Sequence, residues 1–191
     1  MMWFPIVLGL VVFQRLGELW LANENTKRLM AEGAVEIGAG HYPLFVILHA
    51  AWLSALAILT PWTESPHPWL LTIYVVLQFG RVWVIATLGR FWTTRIITLP
   101  GAPLVRSGPF RVVRHPNYWI ASLEIAILPL VFGQVWIAVM FTALNAMLIA
   151  WRVRLENRAL ADRAEESEQP ECEAARLRRI RSPGEKSRSE L

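Results

Sequence analysis

The stretch 108-GPFRVVRHPNYW-119 decides how the rest of the chain is read. Two prolines bracket Arg111, Arg114 and His115, and a long apolar run begins at the end of the stretch. Gly108-Pro109 reads as a turn. His115 precedes a proline and is biased away from helix. Pro116 suits the first turn of a helix, with Asn117 and Tyr118 just inside. A helix N-terminus favours anions. The stretch therefore predicts a cationic loop that feeds a helix entering apolar surroundings.

Composition says what those surroundings are. The chain has 191 residues, is 54% hydrophobic and only 18% charged, and contains ten tryptophans. Its mean hydropathy is +0.37. Fifteen of the thirty-one residues from Ala161 to Leu191 are charged, so the remainder is more apolar still. This profile predicts an all-α integral membrane protein. Apolar segments run over about 2–21, 44–59, 69–88, 119–132 and 135–151, against the roughly 20 residues a helix needs to span a bilayer. The 119–132 segment is short and holds Pro129; with the next it forms a C-terminal helical hairpin. The expectation is four to five transmembrane helices in one domain over 1–160, then a cytoplasmic helix and a charged, partly disordered tail over 161–191. The N-terminal run lacks a basic region before it and does not read as a signal peptide. Trp3, Trp20, Trp62, Trp69, Trp119 and Trp151 fall near segment ends, as an interfacial belt does. The sole cysteine, Cys172, allows no internal disulfide and no cysteine metal site. No nucleic-acid motif is present, and neither a metal nor a nucleic-acid partner is expected.

Charge sets orientation. The 23–42 loop holds Lys27 and Arg28, the 60–68 loop holds no Lys or Arg, and the 89–118 loop holds Arg90, Arg95, Arg106, Arg111 and Arg114 with no acidic residue. Basic loops stay inside, which predicts an outside N-terminus and a cytoplasmic C-terminus.

Ionisable groups within apolar segments cost about 2.5–3.5 kcal/mol each at a helix centre and usually face a cavity or a partner. Here they recur at helical spacing: Gln14 and Glu18 with Arg15 beside them; Tyr74, Gln78 and Arg81; Asn117, Ala121 and Glu124; and Asn145, Ile149, Arg152 and Glu156. At 1.5 Å per residue, Arg81 and Glu124 lie roughly 10 Å or less from the inner ends of their helices. The stripes predict a polar pocket in the cytoplasmic leaflet with an apolar rear wall. The same groups also suit buried ion pairs that only fix helix packing. His41, His49 and His67 have no partners by spacing and are expected to be structural or exposed.

The ensemble resembles the isoprenylcysteine carboxyl methyltransferase family of membrane enzymes, and more loosely the phospholipid N-methyltransferases. Those families carry a G-P-[YF]-R-x-x-R-H-P-x-Y element at the cytoplasmic start of a helical hairpin and an R-x-x-x-E-E-x-x-L element after it. Here these read GPFRVVRHPNY, Gly108 to Tyr118, and RVRLENRAL, Arg152 to Leu160. The resemblance covers about Phe91 to Leu160 and is closest to a compact bacterial branch, some members of which are associated with methylation of polyketide-derived lipids. It implies an S-adenosylmethionine site on His115, Pro116, Tyr118 and Glu156, with Arg114, Asn117, Arg152 and Asn157 as further candidates. The chain departs from the pattern at Ile120, where the family often has Gly, and at Asn157, where a second carboxylate is missing.

Methyl transfer from a sulfonium is an in-line displacement that needs positioning and exclusion of water more than covalent help. A carboxylate acceptor needs no base, whereas a phenol or enol does. Glu124 is the candidate base and Arg81 the candidate partner of the oxyanion. The expected activity is methyl transfer to a carboxylate or hydroxyl of a lipidic acceptor, either isoprenylcysteine-like or a polyketide lipid. The alternatives are a phospholipid N-methyltransferase, which would want carboxylates near the reacting nitrogen, and a non-catalytic membrane scaffold. A membrane reductase with a related helical end fits the spacing less well.

Overall fold

The computed structural model describes residues 2–37, 42–102, 105–113 and 115–154. Arg114, Glu156, Asn157 and the tail lie outside the described residues. Five α-helices lie among the described residues: α1 (Trp3–Ala31), α2 (Tyr42–Leu59), α3 (Pro68–Leu88), α4 (Pro116–Val131) and α5 (Val135–Arg154); the first four and α5 up to Arg152 form one compact unit. Four of them are long and apolar enough to cross a membrane, and the chain is an integral membrane protein. The fifth, α4, has 16 residues and spans about 24 Å. It nonetheless reaches the far end of α3, because the His67 amide donates to the Val131 carbonyl at 2.9 Å. All six tryptophans placed at segment ends are exposed.

The sequence-based boundaries hold except at α1, which continues ten residues beyond Leu21 to Ala31. Its polar continuation, 22-ANENTKRLMA-31, contains no Gly or Pro to stop it, and the helix ends just before Gly33, which takes a positive φ of 91°. A short antiparallel ribbon then pairs β1 (Val35–Ile37) with β2 (Ile96–Thr98), Val35 opposite Thr98. Composition alone does not announce these three-residue strands; each is β-branched at two of its positions or more. Arg95 pairs with Glu36 at 2.9 Å and lies over the Tyr42 ring, which fastens the ribbon to the start of α2.

Two apolar clusters organise the bundle. The larger joins Phe4 and Val11 of α1, Leu48, Trp52 and Leu56 of α2, Tyr74 of α3, and Ile125, Leu128 and Val131 of α4 to Phe132, Ile137 and Phe141. It fills the half of the bundle away from the ribbon. The smaller, Ala22, Val84 and Trp92, closes the α1–α3 contact at the ribbon end. There Asn25 donates to the carbonyls of Gly89 and Trp92, at 3.1 and 2.9 Å, and so holds the turn after α3 against α1. Helices α3 and α4 approach closely where Ile120 meets Gly80, with the Ile120 Cδ1 atom 3.4 Å from where a Gly80 Cβ would be.

Gly108 begins a turn of 3-10 helix (Gly108–Arg111) that rests on α3. Its φ is +54°, and an added Cβ would stand 2.8 Å from Thr87 Oγ1 and 3.3 Å from Trp83 Nε1. Both the backbone and the space require glycine. Gly108→Ala is expected to cost about 1–3 kcal/mol, read as a lower thermal midpoint in detergent. Adding Thr87→Ala should recover the steric part and leave the backbone part.

Candidate active site

Four charged side chains from three helices meet inside the bundle. Arg15 of α1 donates from Nη1 to Glu18 Oε2 at 2.8 Å and from Nη2 to Glu124 Oε2 at 2.7 Å. Arg81 of α3 donates from Nε to Glu18 Oε1 and from Nη1 to Glu124 Oε2, both at 2.6 Å. Gln14 completes Glu18 at 2.9 Å, and Gln78 completes Glu124 at 2.9 Å; Gln14 also donates to Gln78 at 2.8 Å. Each carboxylate therefore accepts three hydrogen bonds, and the two positive and two negative charges cancel. Glu124 is only 1% exposed. Such a cluster is tolerated in low dielectric only because every charge is paired.

On the ribbon side of this cluster lies a cavity of about 270 Å³. Helix α1 lines it with Val12, Arg15, Leu16, Glu18 and Leu19, and α2 with Tyr42, Phe45, Val46, His49, Ala50 and Leu53. Both sets follow the 3.6-residue period of one helix face. Arg81, the 92–94 loop, Asn117, Tyr118, Ala121, Asn145, Ile149 and Arg152 complete the wall. Leu16 is 61% exposed, and Leu19 and Val46 each 37%, so apolar residues that line the cavity also reach the outer surface of α1 and α2.

The motif residues gather at the opposite wall. Pro116 is buried in the first turn of α4, and His115 precedes it at the cap. The His115 ring stacks on Tyr118, with centroids 5.1 Å apart and planes 12° apart. Arg152 of α5 donates from Nε to the Tyr118 hydroxyl and from Nη1 to the Thr94 carbonyl, both at 2.9 Å. Its guanidinium also lies 5.3 Å from the Phe45 ring centroid. Asn145 donates to Ser122 Oγ, which donates to the Tyr118 carbonyl. Asn117 Oδ1 is buried and accepts no hydrogen bond from a described residue.

The cavity thus brings together Arg81, Asn117, Tyr118 and Arg152 from the residues singled out by sequence. His115 flanks it through Tyr118, Pro116 shapes the backbone beneath it, and Glu124 sits behind the wall. Arg114 and Glu156 fall outside the described residues. Sequence spacing did not flag His49 or the Trp92–Thr94 loop. For His49 a signal existed, since Tyr42, Phe45, Val46, His49 and Leu53 repeat at i, i+3, i+4, i+7 and i+11 and all face the cavity. Among the described residues no group of three His, Cys, Asp or Glu side chains is arranged to hold a metal ion.

Fold and site together define a small multi-pass membrane protein with a mostly apolar chamber, edged by polar groups, at the loop-bearing end. The sequence profile of the isoprenylcysteine carboxyl methyltransferase family matches residues 70–162. The uncharacterized protein YpbQ of Bacillus subtilis (strain 168) is 33% identical over 163 residues, covering 83% of this chain and 97% of that protein. An uncharacterized protein of Haemophilus influenzae is 26% identical over 168 residues, covering 84% and 96%. No solved structure matches. The chain belongs to the isoprenylcysteine carboxyl methyltransferase family, a family of membrane methyltransferases.

The charge cluster makes a sharp stability prediction. Glu124→Leu leaves one buried guanidinium charge uncompensated and is expected to cost about 3–5 kcal/mol. Arg81→Met combined with Glu124→Leu restores neutrality and should be less destabilising than Glu124→Leu alone. Thermal midpoints of the two single variants and the double variant in detergent complete the cycle.

Proposed function

We propose that the protein is an S-adenosylmethionine-dependent O-methyltransferase for a lipidic acceptor, working at the cytoplasmic membrane face with its N-terminus outside and its C-terminus inside. The observation that carries this reading is one cavity with two unlike walls. Its α1–α2 wall is apolar apart from Arg15, Glu18, Tyr42 and His49, and entry from lipid on that side suits a long-chain acceptor arriving sideways. Its α4–α5 wall carries the GPFRVVRHPNY motif residues, which suit a nucleoside and an amino-acid end.

The residues fit the methyl donor. Asn117 Oδ1 is a buried acceptor with no described partner, and such an atom costs free energy until something donates to it. Tyr118 offers a ring already braced by His115 and Arg152, and Arg152 offers a cation for a carboxylate. Asn117, Tyr118 and Arg152 would hold the donor, His115 and Pro116 would shape that wall, and Arg114 and Glu156 are assigned to it by the family motif. When bound, the donor supplies an electrophilic methyl group on a sulfonium.

The rest of the work is positioning. The apolar wall excludes water and aligns the acceptor, which raises effective concentration and strengthens electrostatics in the chamber. Charge is neutralised when an anionic oxygen attacks a sulfonium, so a dry chamber favours the step. Arg81 borders the chamber, as does Arg15, and on this reading the Arg81 guanidinium faces the acceptor oxygen. Glu124 touches Arg81 but not the chamber, so it serves as a positioning residue. An amine acceptor has less support, because Glu18 and Glu124 are both spent on arginines.

Purified protein incubated with tritiated methyl donor and total membrane lipid should transfer label to the lipid fraction. An alkali-labile product marks an ester and a carboxylate acceptor; an alkali-stable product marks an ether and a hydroxyl. Asn117→Ala and Tyr118→Phe are each expected to weaken S-adenosylhomocysteine binding about tenfold by calorimetry, the loss of one good hydrogen bond. No saturable binding and no label transfer by the unaltered protein would support the scaffold reading instead.

A further inference from the structure

We propose that His49 is the proton acceptor in this chamber for a methyl acceptor that carries a proton. The inference rests on the methyltransferase reading above and deepens it.

The geometry fixes the imidazole. His49 Nδ1 lies 2.8 Å from the Phe45 carbonyl oxygen one turn earlier on α2. A carbonyl only accepts, so Nδ1 carries the proton and Nε2 holds the lone pair. The ring also meets Trp52 edge-on, with centroids 6.3 Å apart, and Trp52 is fully buried. Hydrogen bond and ring contact together set where Nε2 points, and His49 lines the cavity. Nε2 makes no hydrogen bond to a described residue, whereas Nδ1 is committed.

Elimination gives the same answer. The cavity wall includes Arg15, Glu18, Tyr42, His49, Arg81, Tyr118 and Arg152 as its titratable groups. Arginines and tyrosines are poor bases at neutral pH. Glu18 accepts from Gln14, Arg15 and Arg81. Glu124, the base expected from sequence, is behind the wall with three donors of its own. Among the described residues His49 is the cavity group with an uncommitted basic lone pair. A chain of contacts links it to the motif wall. Phe45, one turn away, carries Arg152 over its ring, and Arg152 bonds Tyr118; one helical turn is about 5.4 Å.

The step balances. The acceptor hydroxyl gives its proton to His49 Nε2 as its oxygen takes the methyl carbon of the sulfonium. One carbon–oxygen bond forms and one carbon–sulfur bond breaks, its electron pair staying on sulfur as a neutral thioether. The imidazolium then loses its proton to water. A carboxylate brings no proton to this step and gives a base nothing to do.

Two measurements test the proposal. The first uses no methyl donor: a long-chain alkyl nitrophenol is added to detergent-purified protein, and the phenolate absorbance is read. The unaltered protein should raise the phenolate fraction above that in detergent alone, and His49→Gln should not. The second supplies donor with 3-pentadecylphenol or palmitate. His49→Gln should lower methylation of the phenol by about 10²–10⁴-fold while S-adenosylhomocysteine binding stays unchanged. Equal phenolate signals and equal phenol methylation in both proteins overturn the role of His49 and leave the methyltransferase reading standing. Methylation of palmitate alone also overturns it. Failure of the unaltered protein to bind S-adenosylhomocysteine or methylate either probe sinks the underlying reading, and the proposal with it. If His49→Gln does not fold, the donor-free absorbance of the unaltered protein decides, and no rise in phenolate overturns the proposal.

Discussion

The fold depends on keeping four charges out of lipid. Arg15, Glu18, Arg81 and Glu124 cancel one another at 2.6–2.8 Å, with two glutamines taking up further carboxylate valences. The desolvation cost of each ion is several kcal/mol, and it is offset only when every charge present is paired and hydrogen-bonded. That condition sets the relative height and rotation of α1, α3 and α4. It also explains why a 16-residue α4 suffices: the helix is anchored at Glu124 and tied at Val131 to the start of α3.

Helix α2 supplies no member of the cluster. Its attachments are apolar, through Leu48, Trp52 and Leu56 in the half away from the ribbon, and aromatic, through Tyr42 under Arg95. Between these two attachments it faces the chamber. A bundle held by charge on one side and by packing at the ends leaves a gap in the middle of the remaining side, and the cavity occupies that gap. The same arrangement sets its chemistry. Arg15 and Arg81 are neutralised within the cluster, while Arg152 bonds neutral groups among the described residues, so the cavity is mostly greasy, cationic on its α5 side, and carries basic lone-pair capacity on α2 rather than on the carboxylates.

Much of this was legible in the sequence. The helix-forming runs, the turn at Gly108-Pro109 and the helix start at Pro116 follow from local chemistry that tertiary contacts do not override. The polar stripes were legible too, because a charge in an apolar run must find a partner, and helical spacing says which faces look for one. What spacing does not give is the partner. Glu124 reads equally well as a base or as half of an ion pair until the positions of Arg15 and Arg81 are known, and Arg15 lies 109 residues away in sequence. The ribbon was hidden because three-residue strands fall below any periodicity window. His49 was hidden because it was weighed for polar partners by spacing, whereas its significance comes from the tyrosine, phenylalanine and leucine that share its face.

The division of the cavity also bears on where specificity resides. The family profile begins at residue 70, within α3, so α1 and α2 lie before it. The wall assigned to the methyl donor comes from α4 and α5, inside the matched region; the wall assigned to the acceptor comes largely from α1 and α2, outside it. A chamber built this way can keep one donor site while its acceptor wall changes, provided the changing helices still satisfy the charges of α3 and α4. Arg15 and Glu18 meet that demand on α1 and border the chamber as well. Helix α2 contributes no charge to the cluster, and its cavity face includes Val46 and Leu53 beside Tyr42, Phe45 and His49. On the reading proposed here, α2 is where the family's chemistry is adapted to a particular lipid, and changes there should alter which acceptor is used before they alter how the donor is held.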